Sequence, residues 1–126
     1  MTEKSSNAEG EKDKGMEVYE YIVNNVDTCL EEMDALMLRL NEADSNGQFL
    51  SSTARFLAAV DKDKFADYIP SIIESAIEKD RERRYIGQLL EAIWGEDYKE
   101  RADELSASDN VFRRLYKRVY PSGVFG

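Results

Sequence analysis

The chain has 126 residues, 26 acidic and 17 basic side chains, and a formal net charge of −9. It has no histidine and one cysteine, so a histidine general base, a histidine-ligated metal and a cysteine-rich zinc site are excluded. A chain of this length is typical of one domain with one hydrophobic core.

The composition predicts a small soluble protein of the cytoplasm. Cys29 has no second cysteine with which to form an internal disulfide, which suits a reducing compartment. No apolar run approaches the roughly 20 residues of a membrane span. Residues 1–15 contain no apolar core of a signal peptide. We therefore expect no association with membranes.

Residues 1–15 contain no large apolar side chain after Met1. Such a segment cannot bury enough surface to offset the entropy lost on ordering. The sequence therefore predicts a disordered tail over residues 1–15 and a single helical domain over residues 16–126.

The segment 16–41 predicts one long helix. Its apolar residues are spaced alternately by three and four positions for three heptads, which is the pattern of a helix packing seam. The seam residues are Tyr19, Ile22, Val26, Cys29, Met33, Leu36 and Leu40. Four more apolar residues widen the stripe: Val18, Val23, Leu30 and Met37. The outward positions are acidic: Glu17, Glu20, Asp27, Glu31, Glu32 and Asp34.

Two further helices are predicted in the middle of the chain. The first spans residues 50–60, with Ser51 or Ser52 as its N-cap. It is short and apolar, as expected of a helix enclosed on several sides. The second begins near Ile69, since Pro70 is favoured in a first helical turn. It is expected to continue through the charged residues 78–84 and to end at Trp94, with Gly95 as its C-cap.

The C-terminal part predicts two shorter helices. One spans residues 97–105. The other spans residues 111–120, with Ser108 or Asp109 as its N-cap and Pro121 after its end. The sequence thus predicts an all-α fold: a compact bundle of four to six helices with a disordered N-terminal tail. The long first helix, paired with the third, would be its spine.

Charge is distributed unevenly along the chain. Residues 1–109 carry 13 basic and 26 acidic side chains, a net of −13, whereas residues 110–126 carry four basic ones and no acid. The four cations lie largely on one side of the predicted last helix: Arg113, Arg114, Lys117 and Arg118. Three interpretations are open, namely docking on acidic helices of the same domain, contact with another protein, or binding of nucleic acid or an anionic membrane.

The acidic first helix predicts a surface for a partner protein that is basic. Its candidate contact residues are Glu31, Glu32 and Asp34. A negative field would accelerate association with a positively charged surface and repel nucleic-acid phosphates. Net charge that serves solubility alone is the competing interpretation. A homodimer through the seam of the first helix is also consistent with the pattern.

Two acidic segments are candidate cation sites. Residues 42–49 resemble the first eight positions of an EF-hand loop, with oxygen-bearing residues at alternate positions and Gly47 at the bend. The resemblance fails at position twelve, where Thr53 replaces the bidentate glutamate, and an ordinary turn between helices explains the segment equally well. Asp61, Asp63 and Asp67 alternate with lysines, which favours a solvated connector. No metal or cofactor is expected.

The sequence contains no pattern that indicates catalysis. Cys29 occupies a seam position among apolar residues, so we expect a buried, inert thiol. Glycine-rich phosphate loops and nucleophile elbows are missing from the sequence. The predicted function is therefore a non-enzymatic interaction module, such as an adaptor, regulator or inhibitor. The alternative is a nucleic-acid-associated regulator that uses the basic C-terminal helix.

Overall fold

The computed structural model describes the backbone of residues 7–121 and the side chains of residues 14–121. Within these residues the chain forms seven α-helices, one short 3-10 helix and no strand, which confirms the all-α class. The elements are α1 Asn7–Asn24, the 3-10 helix Cys29–Glu32, α2 Met33–Ala43, α3 Gln48–Asp61, α4 Ile69–Lys79, α5 Gly87–Trp94, α6 Ala102–Ser108 and α7 Asn110–Val119.

Helix α1 begins inside the segment for which the sequence predicts a disordered tail. Residues 7–15 lie in its first turns, whereas residues 1–6 lie outside the described part of the chain. Extending an existing helix adds one hydrogen bond for each residue ordered, and Ala, Glu and Lys are good helix formers. Gly15 lies against α3, since a Cβ there would come within 2.8 Å of the Phe49 ring.

The predicted long helix over residues 16–41 is wrong in one respect: it is broken at Asn24. Residues 25–28 form a turn, which the 3-10 helix and α2 follow. The break falls on asparagine, aspartate and threonine, which have low helix propensity and compete locally for backbone hydrogen bonds. Here the side-chain amide of Asn25 donates to the carbonyl of Tyr21 at 2.8 Å, and the Thr28 hydroxyl donates to the carbonyl of Asn25 at 3.5 Å.

The two halves of the broken helix form an antiparallel hairpin, called here the acidic hairpin (residues 16–43). Lys14 and Glu17 of α1 lie beside Arg39 and Glu42 of α2. The predicted seam is buried within this hairpin and against α3, with five members at most 1% exposed: Ile22, Cys29, Met33, Leu36 and Leu40. A homodimer through the seam would therefore require the hairpin to open.

The second predicted continuous helix is also broken, after Lys79. The cause is Asp80, whose side chain is 2% exposed. Its carboxylate accepts hydrogen bonds from the backbone N–H groups of Arg84 at 2.9 Å, Tyr85 at 2.7 Å and Ile86 at 2.9 Å. The charged stretch therefore folds as a loop around a buried anion, and α5 starts anew at Gly87.

These two breaks explain the helix count. The predicted count of four to six helices is wrong, because the described chain has seven α-helices. The predicted segments are five, and each break adds one. The spine is also different from the predicted one. Helix α3, predicted to be enclosed, is the central element and packs against α1, α2, α4 and α5.

The helix caps are set by aspartates more than by serines. Of the two predicted N-caps of α7, Ser108 and Asp109, it is Asp109 that accepts from the N–H groups of Val111 and Phe112, at 3.0 and 3.1 Å. Ser51 does not cap α3. Instead the buried Asp44 accepts from the N–H of Leu50 at 2.7 Å. Gly95 ends α5 with φ of 101°, in agreement with its predicted role as C-cap.

The C-terminal helices enclose an aromatic cluster. Phe112 and Tyr116 of α7 are buried and stack with ring centroids 5.2 Å apart. Trp94 packs edge-on against Phe112 at 5.2 Å, and its indole N–H donates to Asp109 at 3.0 Å. Helix α7 contacts α4, α5 and α6, so its apolar side is part of the core. No helix in the described part combines the length and apolar content needed to cross a bilayer.

Candidate interaction surface

The acidic hairpin has a strongly negative net charge. Its 28 residues include seven acidic side chains and a single basic one, a net of −6. All six of the predicted outward acidic positions are exposed, as the helical pattern indicated: Glu17, Glu20, Asp27, Glu31, Glu32 and Asp34. These carboxylates therefore lie on the solvent-exposed side of the hairpin.

The three predicted contact residues lie where the hairpin turns. Glu31 and Glu32 belong to the 3-10 helix, and Asp34 lies in the first turn of α2. The Tyr21 hydroxyl donates to both carboxylate oxygens of Glu32, at 2.8 and 3.0 Å, and this hydrogen bond raises the pKa of Tyr21. Burial and then the nearby Asp34 raise the pKa of Tyr68 at the start of α4. The turn thus presents Glu31 freely and holds Glu32 beside an aromatic ring.

Large apolar side chains are exposed on the same hairpin. In the described part of the chain, four of the five exposed large apolar residues belong to it: Met16 at 43%, Tyr21 at 38%, Leu30 at 36% and Leu38 at 62%. The sequence pattern assigned Leu30 to the buried stripe, and that assignment is wrong. Leu30 lies in the 3-10 helix, where the α-helical spacing that assigned it to the stripe does not apply.

Leu38 and Tyr21 are the members of this surface that sequence reasoning missed. A signal for Leu38 was available, because it stands outside the seam and next to Arg39 on the outward side of α2. The pairing of Tyr21 with Glu32 had no such signal, since it requires the chain to fold back at the turn. Aromatic and apolar residues among charges are typical of protein interfaces.

The basic helix α7 is separate from this surface and partly bound within the domain. Arg113 donates to the carbonyl of Ser106 at 3.0 Å and to the side chain of Asn110 at 2.5 Å. Arg114 forms an ion pair with Glu74 of α4 at 3.4 Å. These contacts agree with the interpretation that the helix docks on its own domain.

The other two cations of α7 are without such contacts. Lys117 is exposed, and Arg118 is half-buried with an Nε atom that finds no hydrogen-bond acceptor among the described residues. Of the four predicted basic residues, Arg113 is therefore hydrogen-bonded within the domain and Arg114 forms an exposed ion pair. Lys117 and Arg118 have neither kind of contact within the described residues.

The loop with the EF-hand-like pattern has its aspartate turned inward. Asp44 is 2% exposed, and its oxygens accept from the N–H groups of Asn46 at 3.3 Å, Gly47 at 3.1 Å and Leu50 at 2.7 Å. Its carboxylate therefore holds the connection between α2 and α3. In the described part of the chain, no three acidic or cysteine side chains are grouped as metal ligands, and this includes Asp61, Asp63 and Asp67.

Cys29 is fully buried at the hairpin turn. Its accessible surface is 0%, and its thiol lies 3.9 Å from the sulfur of Met33. Burial raises the pKa of the Cys29 thiol, so the reactive thiolate is disfavoured at neutral pH. The predicted burial of this residue is confirmed.

Comparisons with family models, with curated proteins and with solved structures found no match to this chain.

Proposed function

We propose that the protein is a non-enzymatic interaction module that binds a basic surface of another protein through the acidic hairpin. The observation that carries this proposal is the combination of a net charge of −6 over 28 residues with exposed apolar side chains on the same element. Charge alone would serve solubility. Apolar exposure beside it has a cost in water that a bound partner would remove.

The two kinds of side chain would contribute to different stages of binding. Exposed carboxylates attract a positively charged partner over a Debye length of about 8 Å in physiological salt. This attraction raises the association rate more than the affinity. Tyr21, Leu30 and Leu38 would then be desolvated in the complex and slow its dissociation. Such a division suits an adaptor, regulator or inhibitor.

The experiment compares two variants with the same change in net charge. The hairpin variant carries three neutral substitutions: Glu31→Gln, Glu32→Gln and Asp34→Asn. The matched control carries three others at exposed positions near α6: Glu100→Gln, Asp103→Asn and Glu104→Gln. Partners captured by the wild-type chain from its own cells are identified by mass spectrometry, and their binding to each variant is measured by surface plasmon resonance.

We expect the hairpin variant to lower the association rate constant about tenfold at low salt and the control to change it by less than twofold. Leu38→Ala should instead raise the dissociation rate, because it removes apolar contact area and no charge. Equal slowing by both charge variants, or binding that is indifferent to salt up to 1 M, would contradict the proposal.

The alternative function is a regulator that contacts nucleic acid through α7. Lys117 and Arg118 favour it, because neither side chain has a partner in the described part of the chain. Gel shifts at low salt would test this alternative with two double variants. One carries Lys117→Gln and Arg118→Gln, and the other carries Arg113→Ala and Arg114→Ala for comparison. If the hairpin proposal is right, neither the wild-type chain nor either variant shifts the nucleic acid.

A further inference from the structure

A cleft with an unusual concentration of arginine runs alongside α5. Its volume is about 720 Å³, and one exposed side of α5 forms its floor. Three arginines line it from two parts of the chain. Arg55 comes from α3, whereas Arg83 and Arg84 come from the loop that precedes α5. The cleft lies apart from the acidic hairpin, whose residues do not line it.

Two of these arginines have no partner in the described part of the chain. Neither Arg55 nor Arg83 forms a hydrogen bond or an ion pair there, although the protein has 26 acidic side chains. Arg84 pairs with Glu82 at 2.7 Å, but both side chains are about two-thirds exposed. Exposed pairs of this kind contribute little and exchange readily.

Arg55 is the most constrained of the three. It is half-buried on α3, and its Nε atom has less than 1 Å² of accessible surface and no acceptor. A buried donor on a charged group without a partner is costly, because it has lost its water and gained nothing in return. Because this Nε has almost no accessible surface, an anion in the cleft would bind the terminal Nη groups of Arg55 instead.

Arg83 is held in a backbone conformation that non-glycine residues rarely adopt. Its φ is 57°, and within the described residues it is the one non-glycine residue with positive φ. The buried carboxylate of Asp80, which binds the N–H groups of residues 84–86, fixes this loop. The loop therefore places Arg83 and Arg84 at the start of α5.

The N–H groups at this end of α5 do not themselves form the anion site. The Asp80 carboxylate already accepts hydrogen bonds from the N–H groups of Tyr85 and Ile86, so these groups are not available to a ligand. The arginine side chains are what remains to bind a ligand. A guanidinium group matches the oxygens of a phosphate with two parallel hydrogen bonds, which makes arginine the preferred residue for this recognition.

The far end of the cleft is acidic. Glu91 and Glu96 also line it, and neither pairs with the arginines. Arg84 precedes α5 and Glu96 follows it, so their backbones are separated by at least the length of an eight-residue helix, about 12 Å. A long polyanion would be repelled by the glutamates. A compact ligand whose anionic end meets the arginines can direct a donor to Glu91, which lies within α5 and nearer to them than Glu96 does.

We propose that this cleft binds a small phosphate monoester that also carries amino or hydroxyl donors, with Arg55, Arg83 and Arg84 around the phosphate. Free phospho-amino acids and sugar phosphates share this chemistry. At pH 7.5 such a monoester is mostly a dianion, since its second pKa is about 6. The site is independent of the hairpin, so either proposal can fail without the other.

The test is calorimetric titration of the full chain at pH 7.5 and constant ionic strength, with O-phosphoserine and glucose 6-phosphate as probes. Serine, glucose and inorganic phosphate are the controls. The variants are Arg55→Gln and Arg83→Gly. The matched control is Arg81→Gln, in the same loop but outside this cleft. Arg83→Gly is expected to fold, because glycine adopts positive φ without strain.

We expect saturable binding of at least one monoester, weakened about tenfold by Arg55→Gln and by Arg83→Gly and unchanged by Arg81→Gln. Tighter binding of O-phosphoserine would indicate that the glutamates bind an amino group of the ligand. Tighter binding of glucose 6-phosphate would indicate that they bind a hydroxyl group. Absence of binding by both monoesters, equal binding of inorganic phosphate, or equal weakening by all three variants would overturn the proposal.

Discussion

The turn of the acidic hairpin and the Asp80 loop both interrupt a helix that the sequence predicts to be continuous, yet they do so by opposite means. At the hairpin turn, residues 25–28 are poor helix formers, and the carboxylates around them are exposed. In the loop, one buried carboxylate organises the backbone, and the flanking arginines are exposed. The same chemical group is thus available to a partner in one region and occupied by the fold in the other.

The difference predicts where substitutions change stability and where they change binding. A buried carboxylate with three N–H donors is part of the fold, so its removal should lower the free energy of unfolding substantially. An exposed carboxylate without strong partners contributes little to stability. Its effect should appear in the association rate. The predictions that follow separate the two regions on this basis.

The largest effect on stability is expected for Asp80→Ala. The substitution leaves three backbone N–H groups without their acceptor in a site that is 2% exposed. We expect a loss of about 3 kcal/mol in the free energy of unfolding, measured by urea denaturation. Glu31→Gln in the hairpin is the control and should change it by less than about 0.5 kcal/mol. An equal loss in the free energy of unfolding for Asp80→Ala and Glu31→Gln would contradict the distinction between the buried and the exposed carboxylates.

An intermediate effect is expected for Tyr98→Phe, which removes the hydrogen bond between the hydroxyls of Tyr98 and Tyr120 at 3.0 Å. It should cost about 1 kcal/mol at neutral pH, whereas Tyr21→Phe in the exposed hairpin should cost less. Urea denaturation of both variants at pH 7 measures the difference.

The same pair of tyrosines predicts an alkaline limit. Burial and then the bond to Tyr120 raise the pKa of Tyr98 well above its usual value of 10.0. Above pH 10 the unfolded chain releases this proton while the folded chain keeps it, so stability falls as the pH rises. In Tyr98→Phe the alkaline decline should be shallower. If stability declined as steeply in Tyr98→Phe as in the wild-type chain, the alkaline loss of stability would come from other titratable groups.

The smallest effect is a gain in stability from Arg83→Gly. Positive φ costs an L-residue roughly 1 kcal/mol, and glycine avoids this cost but loses more backbone entropy on folding. We therefore expect an increase of less than about 1 kcal/mol, seen as a higher urea midpoint. Destabilisation by this variant would mean that the arginine side chain supports the loop.

The fold class and most helix positions follow from local pattern. The seam from Tyr19 to Leu40 was predicted residue by residue, because a period of three and four residues places apolar side chains on one side of any helix. Five of its seven members are buried, whereas Tyr19 and Val26 are partly buried. The cap at Asp109 and the end at Gly95 were predicted because their chemistry is local. The two helix breaks were not predicted, because the helical spacing of apolar residues continues unchanged across the turn at which the chain folds back.

The candidate surfaces divide in the same way. The exposed carboxylates of the hairpin could be predicted, since their outward positions depend on helical spacing alone. The arginine cleft could not, because Arg55 and Arg83 are 28 positions apart and meet through the packing of α3 on α5. The exposure of Leu30 depended on the hairpin turn, which is itself a tertiary feature.

Composition and spacing by themselves determined that this chain is helical, acidic and without histidine chemistry, because propensity, charge and side-chain inventory belong to individual residues and near neighbours. Tertiary structure alone decided which aspartates are buried, which arginines lack partners and which helix lies at the centre. Those outcomes depend on contacts between segments that are distant in the sequence. Where a helix is broken, its backbone N–H groups lose their helical acceptors and must find others in the tertiary structure.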